Sequence, residues 1–339
     1  MKETHAPTNH RKWLFTLLTL LLAALMLYFA LRNVNWHELF STMRQANPAL
    51  LLLAFAALSV SCLVRGMRWR LLLSAQRTMP VVDVFWALMT GYLGNAYLPA
   101  RAGELIRSML VGQKGGISKS FSLATALTER IVDAVILVIV STAALSTMPV
   151  LPEAIAGNIK IFSVIGLAAL AVIIAAPRMG RIIYAVLARL PIPERFCGPI
   201  TGMVEKLLMG AGALQHPVRL SGFLLCSAAI WSLDTVAGLM TARAFGLALN
   251  PVQVFVLLAA LGLFSAIPST PGYVGVYQLV AVSVLVPFGL SEAESVAYIF
   301  GYQGVNYAVI TVWGLIGLWK LRGAARLLRA PVKEPTTPA

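Results

Sequence analysis

Long apolar stretches separated by short polar segments run along almost the whole chain. About six of them have the character of full membrane spans, because roughly 20 apolar residues in a helix cross the ~30 Å hydrocarbon core of a bilayer. These stretches are 13–31, 49–64, 121–151, 155–176, 218–242 and 295–319. The pattern therefore predicts an all-helical polytopic membrane protein.

Two further apolar regions are interrupted by proline and glycine, and we predict that each forms a helical re-entrant hairpin, at 81–119 and 252–290. Non-helical backbone at membrane depth is tolerated only where protein or a water-filled cavity satisfies its polar groups. The alternative is that the prolines merely kink or end ordinary helices. The predicted gating turns contain Pro99 and Gly103 in the first hairpin and Pro268 and Pro271 in the second.

The two hairpins belong to a weak internal repeat. Residues 82–85, Val-Asp-Val-Phe, match residues 252–255, Val-Gln-Val-Phe. At one constant offset, Ala124, Arg130, Val132 and Asp133 align with Ala297, Gln303, Val305 and Asn306. We predict a single transmembrane domain over 1–325, with repeat 1 at about 49–150 and repeat 2 at about 218–320. Residues 326–339 are expected to be a disordered cytoplasmic tail.

The distribution of basic residues predicts the orientation. The chain holds 27 lysines and arginines against 13 acidic residues. With both termini in the cytoplasm, 22 of those 27 basic residues fall in inside segments, as the positive-inside rule requires. The first hairpin then enters from the cytoplasm and the second from outside, so the repeats are inverted. Many secondary transporters have this architecture, with a substrate site between the repeats near the midplane.

Composition narrows the function classes. Hydrophobic residues make up 59% of the chain and charged residues 12%, whereas a soluble domain has roughly 25% charged residues. Because topology accounts for the basic charge, we expect no nucleic-acid partner. The cysteines and histidines have no metal-site spacing, and no catalytic motif is visible. We therefore predict no metal, no cofactor and no enzymatic activity.

Charged side chains inside apolar spans are costly and usually functional. Glu129 and Asp133 lie four residues apart on one helix face, and we expect Arg130, with Arg101 or Arg107, to relieve their repulsion. Glu104 lies close enough to Arg107 to pair with it on a helix. The predicted substrate-binding residues are Asn95, Arg101, Glu104, Arg107, Glu129, Arg130, Asp133, Asp234, Ser269, Thr270, Gly272, Gln278, Gln303 and Asn306.

Asp234 stands in a span without an evident partner. It either takes up a proton or bonds to neighbouring hydroxyl groups.

Several motifs together resemble the lysylphosphatidylglycerol synthetase membrane-region family, also called flippase-like domain proteins. The motifs lie at 65–69 (Arg-Gly-Met-Arg-Trp), 91–104, 129–133 and 268–272, and the resemblance covers about 12–325. It implies a bacterial or archaeal membrane domain that moves lipids or lipid-linked intermediates between leaflets. Two-part members add a soluble aminoacyl-transferase domain. Because this chain ends about twenty residues after the last span, we expect no synthase activity.

We therefore expect a multi-pass protein of the bacterial cytoplasmic membrane that binds or translocates a phospholipid or polyprenyl-type anionic lipid. Arg101, Arg107 and Arg130 would contact the head group through their fork-shaped guanidinium groups. Glu129, Asp133 and Asp234 would balance charge or carry protons. Two alternatives stay open: a small-solute transporter or channel, and a non-catalytic scaffold that partners a lipid-modifying enzyme.

Overall fold

The computed structural model describes residues 24–98, 102–146, 164, 168, 194–265 and 273–321. All regular structure in these ranges is helical. The helices are α1 (Trp36–Arg44), α2 (Pro48–Leu73), α3 (Val81–Tyr97), α4 (Ala102–Gly115), α5 (Lys119–Leu145), α6 (Glu194–Gly212), α7 (Pro217–Ala244), α8 (Pro251–Phe264), α9 (Val276–Leu285) and α10 (Glu292–Lys320). Residues 24–31 are also helical.

Three of the described helices, α2, α7 and α10, are long and apolar enough to cross a membrane. They contain the predicted spans at 49–64, 218–242 and 295–319, so the all-helical membrane class is confirmed. Helix α5 has 27 residues, or roughly 40 Å at 1.5 Å per residue, but carries charges in its middle. Most residues of the predicted spans at 13–31 and 155–176 lie outside the described part of the chain. The number of membrane spans therefore stays a prediction.

Local sequence signals set where several helices begin. The side chain of Asn47 accepts hydrogen bonds from the backbone of Ala49 and Leu50, and Pro48 occupies the first turn of α2. The same combination starts α8, where Asn250 and Gln253 form a reciprocal capping box before a helix that opens with Pro251. Such caps satisfy backbone N–H groups that have no partner inside the helix.

The long helices α2 and α7 run antiparallel and form the most extensive helix pair of the described structure. The backbone N–H of Asn47, before α2, donates to the carbonyl of Ala244, at the end of α7, at 2.8 Å. Near the opposite end, Leu71 lies against Gly222. Helix α3 follows the end of α2, and α8 follows the end of α7. The two pairs of short helices therefore start from opposite ends of the α2–α7 pair.

Each pair of short helices packs within itself and against the other half of the chain. Helix α3 packs on α4, and α8 packs on α9. At the open end of the first pair, Lys114 Nζ donates to Asp83 Oδ1 at 2.5 Å. Helix α10 packs on α3, while α5 packs on α8. The last helix of each half thus contacts the first short helix of the other half.

The contact between α3 and α4 depends on three glycines. A Cβ atom on Gly94 would lie 2.9 Å from the Cα atom of Gly103, and one on Gly91 would lie 2.8 Å from the carbonyl oxygen of Gly103. Gly103, predicted to act as a gating turn, lies in the first turn of α4, where it permits close helix packing. The other predicted gating residues, Pro99, Pro268 and Pro271, lie outside the described residues.

We expect Gly103→Ala to destabilise the protein, because the new Cβ atom would overlap the carbonyl oxygen of Gly91 and lie 2.6 Å from the backbone nitrogen of Asn95. Overpacking of this kind costs about 1–3 kcal/mol, and here the neighbours are backbone atoms. Gly304→Ala is the matched control, since nothing lies within 4 Å of its Cβ position. Unfolding in detergent checks this: equal stability of the two variants would contradict the close α3–α4 contact.

Candidate functional site

Arg68 of α2 is the centre of a buried ionic cluster. Its Nη1 atom donates to Asp133 Oδ1 at 2.6 Å and its Nη2 atom to Asp133 Oδ2 at 2.8 Å, a bidentate pair between α2 and α5. Nη1 also donates to the hydroxyl of Ser227 in α7 at 2.9 Å. A second carboxylate, that of Glu129, has its Oε1 atom 3.4 Å from the Nε atom of Arg68. The side chain of Arg68 is only 3% exposed, so these pairs are shielded from water.

A second arginine completes the cluster from α4. Arg107 Nη1 lies 3.5 Å from Glu129 Oε2. Its guanidinium carbon stands 4.6 Å from the ring centre of Trp69, and the indole N–H of Trp69 donates to the Thr125 hydroxyl at 3.1 Å. Two arginines balance two carboxylates, so the cluster has no net formal charge. Such pairing is what makes buried charges tolerable in an apolar medium.

The sequence-based expectation for these charges is partly wrong. Arg107 contacts Glu129 as expected, but Arg130 points elsewhere, with its Nε atom 3.6 Å from Glu104 Oε1. The predicted Glu104–Arg107 pair is therefore replaced by two pairs that both reach α5. Helix α4 packs on α5. The charged side chains of α4 therefore contact charged side chains of α5 instead of each other.

Asp234 has partners after all, and one of its two expected roles, a bond to a neighbouring hydroxyl group, is confirmed. It forms an ion pair with Arg65 of α2 and accepts a hydrogen bond from the Ser61 hydroxyl at 2.6 Å. The Arg65 guanidinium carbon lies 5.7 Å from the ring centre of Trp231. Arg65 and Arg68 are three residues apart on α2, so one helix face carries both arginine–carboxylate pairs.

Beside the Arg65–Asp234 pair lies a cavity of about 210 Å³, which we call the central cavity. Its lining combines charged, amide, aromatic and apolar side chains from both halves of the chain. The polar members are Ser61, Arg65, Asn95, Arg130, Asp234, Ser265, Gln303 and Asn306, and the aromatic members are Tyr92, Trp231, Tyr273, Tyr277, Tyr302 and Tyr307.

The central cavity gathers part of the predicted site. Five of the predicted residues line it: Asn95, Arg130, Asp234, Gln303 and Asn306. Arg107, Glu129 and Asp133 are buried in the ionic cluster, away from the lining. Four predicted residues lie outside the described part of the chain: Arg101, Ser269, Thr270 and Gly272.

Gln278 supports the cavity wall from behind. It is fully buried, and its Oε1 atom accepts from the backbone N–H of Gly275 at 2.7 Å. Its Nε2 atom donates to Gln303 Oε1 at 2.9 Å. These bonds fix the side chain of Gln303 at the cavity surface. Gln278 therefore positions a lining residue.

Sequence reasoning missed the two arginines of α2 and the aromatic walls. The predicted span ends at residue 64, before Arg65 and Arg68, whereas α2 continues to Leu73. A usable signal was present, because intramembrane acids at 129, 133 and 234 require basic partners. The tyrosines gave no signal, since single aromatic residues are common in membrane helices.

Tyr273 has an uncommon backbone conformation. Its φ angle is +57°, a left-handed value that costs a bulky residue on the order of 1–3 kcal/mol. Its ring stacks on that of Tyr277, with ring centres 4.9 Å apart and an interplanar angle of 8°. The strained backbone thus places a stacked aromatic pair at the cavity.

Residues 16–314 match the family described as the lysylphosphatidylglycerol synthase TM region. The chain belongs to this family. The resemblance noted from the motifs is confirmed, and with it a membrane location. No solved structure shows significant similarity to the chain.

A curated relative is the glycosyltransferase AglD of Haloferax volcanii. It is 24% identical over 336 residues, which cover 88% of this chain and 52% of the relative. The chain thus spans about half the length of that protein. The expectation that this chain is not an enzyme is corrected by this finding, because a protein similar to it over most of its length is named for a catalytic activity.

We expect Arg68→Leu to lower the free energy of unfolding of the protein, since Asp133 would stay buried without its main partner. Removing one partner of a buried pair costs about 3–5 kcal/mol. The double variant Arg68→Leu/Asp133→Leu should recover more than half of that loss, because Glu129 keeps Arg107. The control is Lys114→Leu, which removes an ion pair whose lysine side chain is 43% exposed and should cost under ~1 kcal/mol.

Denaturant titration of the four reconstituted proteins measures these differences. If Arg68→Leu were no more damaging than Lys114→Leu, the buried cluster would not be a stabilising element.

Proposed function

We propose that the protein binds the phosphate-bearing head group of a membrane lipid in the central cavity and moves it between leaflets. The observation that carries this proposal is the lining of that cavity, in which Arg65 and Arg130 stand among amide and apolar side chains.

The electrostatics of the described lining favour an anion. It contains two arginines and one carboxylate, Asp234, so its formal charge is +1. The separation of 3.6 Å between Arg130 Nε and Glu104 Oε1 is too long for a hydrogen bond. The guanidinium of Arg130 therefore has donors available for a phosphate oxygen pair, the geometry in which arginine binds phosphate most strongly. Asn95 and Asn306 add amide groups that bind phosphate or ester oxygens.

The apolar part of the lining favours an amphiphile over a hydrophilic solute. Leu58, Leu258, Leu261 and Ile310 form part of the same wall. A cavity with both surfaces suits a head group whose chain continues into apolar surroundings. A small-solute channel would instead need a continuous polar path. We therefore favour lipid translocation over the channel alternative.

We further propose that the two short-helix pairs are inverted re-entrant hairpins that gate this cavity, in an N-in/C-in protein of the bacterial cytoplasmic membrane. Helices α3 and α4 have 17 and 14 residues, or roughly 25 and 21 Å at 1.5 Å per residue, short of a ~30 Å core. The pairs start from opposite ends of α2–α7, and both halves contribute cavity residues. Rocking of one repeat against the other is a known route to alternating access.

A proteoliposome assay tests translocation. With a fluorescent phosphatidylglycerol in both leaflets, a membrane-impermeant quencher bleaches the inner-leaflet pool only if lipid crosses. We expect Arg130→Gln to slow crossing about tenfold or more, as losing a charge-assisted hydrogen bond of ~1.5–3 kcal/mol implies. Arg243→Gln, which removes an exposed arginine from the last turn of α7, should retain the wild-type rate. Equal rates for all three proteins would contradict the proposed site.

Cysteine labelling tests the inverted hairpins, in a background without the native cysteines. We expect Thr78→Cys and Gln113→Cys to react with an impermeant maleimide only from the cytoplasmic side, and Ala248→Cys and Pro287→Cys only from outside. Leu98→Cys, at the end of α3, should not react from outside. Outside labelling at Leu98→Cys would mean that the first hairpin crosses the membrane completely.

Glycosyl transfer on a lipid phosphate held in the same cavity is a second candidate, favoured by the name of the H. volcanii relative. The purified chain, supplied with a polyprenyl phosphate and labelled nucleotide sugars, would form a labelled lipid under this reading. If no labelled lipid formed while the same protein translocated lipid, glycosyl transfer would be excluded and lipid translocation would stand.

A further inference from the structure

We infer that the central cavity contains a subsite for a sugar ring, so that its ligand is a glycosylated lipid phosphate. This inference rests on the proposed function and specifies its substrate class. The aromatic walls of the cavity, the polar groups between them and the charge of the lining support it.

The aromatic walls are the first observation. Five tyrosines and a tryptophan line the cavity: Tyr92, Trp231, Tyr273, Tyr277, Tyr302 and Tyr307. The face of an aromatic ring carries partial negative charge. One face of a sugar ring presents several C–H groups with partial positive charge, so it stacks on such a surface. An acyl chain needs no flat surfaces, and a bare phosphate gains nothing from them.

The stacked pair Tyr273 and Tyr277 provides a flat platform. Their rings are nearly parallel, at 8°, and Tyr273 takes its place through a left-handed backbone conformation with φ of +57°. Backbone strain in a bulky residue is found where function requires a particular placement. Tyr273 precedes α9 and Tyr277 lies in its first turn, so the platform stands at the start of that helix, with Gln303 and Asn306 of α10 in the same lining.

The polar groups around these rings match hydroxyls. Asn95 and Asn306 each carry both a donor and an acceptor group, as tyrosine hydroxyls do. The Trp231 indole N–H is buried with no hydrogen-bond partner within the described structure, and a ligand oxygen would satisfy it. Hydroxyl groups both donate and accept, so a polyol uses this mixed set fully. A phosphate, which mainly accepts, uses only the donors.

Aromatic cages also bind quaternary ammonium groups, so a choline head group is the competing occupant. The charge of the lining opposes it, because two arginines outnumber the single carboxylate. A neutral sugar next to a phosphate suits this balance: the phosphate meets the arginines and the ring meets the tyrosines. The cavity volume of about 210 Å³ suits one ring better than an oligosaccharide.

Binding to the full chain in nanodiscs separates these cases, with native mass spectrometry as the readout. The probes are a polyprenyl phosphate, the same lipid carrying one hexose on its phosphate, and phosphatidylcholine. We expect the hexosyl lipid to bind at least tenfold more tightly than the polyprenyl phosphate. Tyr273→Leu and Tyr277→Leu should abolish this preference, because the hexosyl lipid loses the ring contact that polyprenyl phosphate never makes. Tyr273→Phe, which keeps the ring, should retain it.

Tyr28→Leu, at a side chain that is 62% exposed, is the control and should bind like the wild type. Equal affinity for polyprenyl phosphate and for its hexosyl form would overturn the sugar subsite and leave the proposed function standing. Preferred binding of phosphatidylcholine would overturn the subsite in favour of an ammonium cage. If the protein bound neither polyprenyl phosphate nor its hexosyl form, both the proposed function and the inference that rests on it would be overturned.

Discussion

Two arginines on one helix, Arg65 and Arg68, hold the two halves of the described structure together. An unpaired guanidinium is costly in an apolar medium, so each must find a carboxylate within reach. Arg65 pairs with Asp234 of α7, while Arg68 pairs with Asp133 of α5 and also donates to Ser227 of α7. This requirement fixes α2 against α5 and α7.

The same chemical pairing serves two purposes at two positions along one face of α2. Around Arg68 the charges are balanced, buried and enclosed by Trp69 and Phe223, whose ring centre lies 4.8 Å from the Arg68 guanidinium carbon. Around Arg65 the pair borders the central cavity, where Arg130 has only a distant carboxylate. The closed cluster therefore contributes stability, and the open side offers donors to a ligand. This contrast is the physical basis for placing the lipid head group beside Arg65 and Arg130.

The amino-acid sequence predicted the membrane-length helices α2, α7 and α10 because a long apolar run is a local property. Asn95, Arg130, Gln303 and Asn306, four of the predicted binding residues, lie together in the lining of the central cavity. The sequence failed on the partners of the acids, assigning Arg130 to Glu129 and Asp133 when Arg68 fills that place. Such pairings depend on which faces of distant helices meet, which no local pattern encodes. The tyrosine walls were missed for the same reason.

A cryo-electron microscopy map of the protein in nanodiscs that contain a polyprenyl phosphate would test the central claim most directly. We predict phosphate density in the central cavity at hydrogen-bonding distance, ~2.7–3.2 Å, from the guanidinium of Arg130, with the lipid chain leaving between the two halves. A cavity without lipid density, joined to water on both sides as a continuous polar pore, would contradict the account.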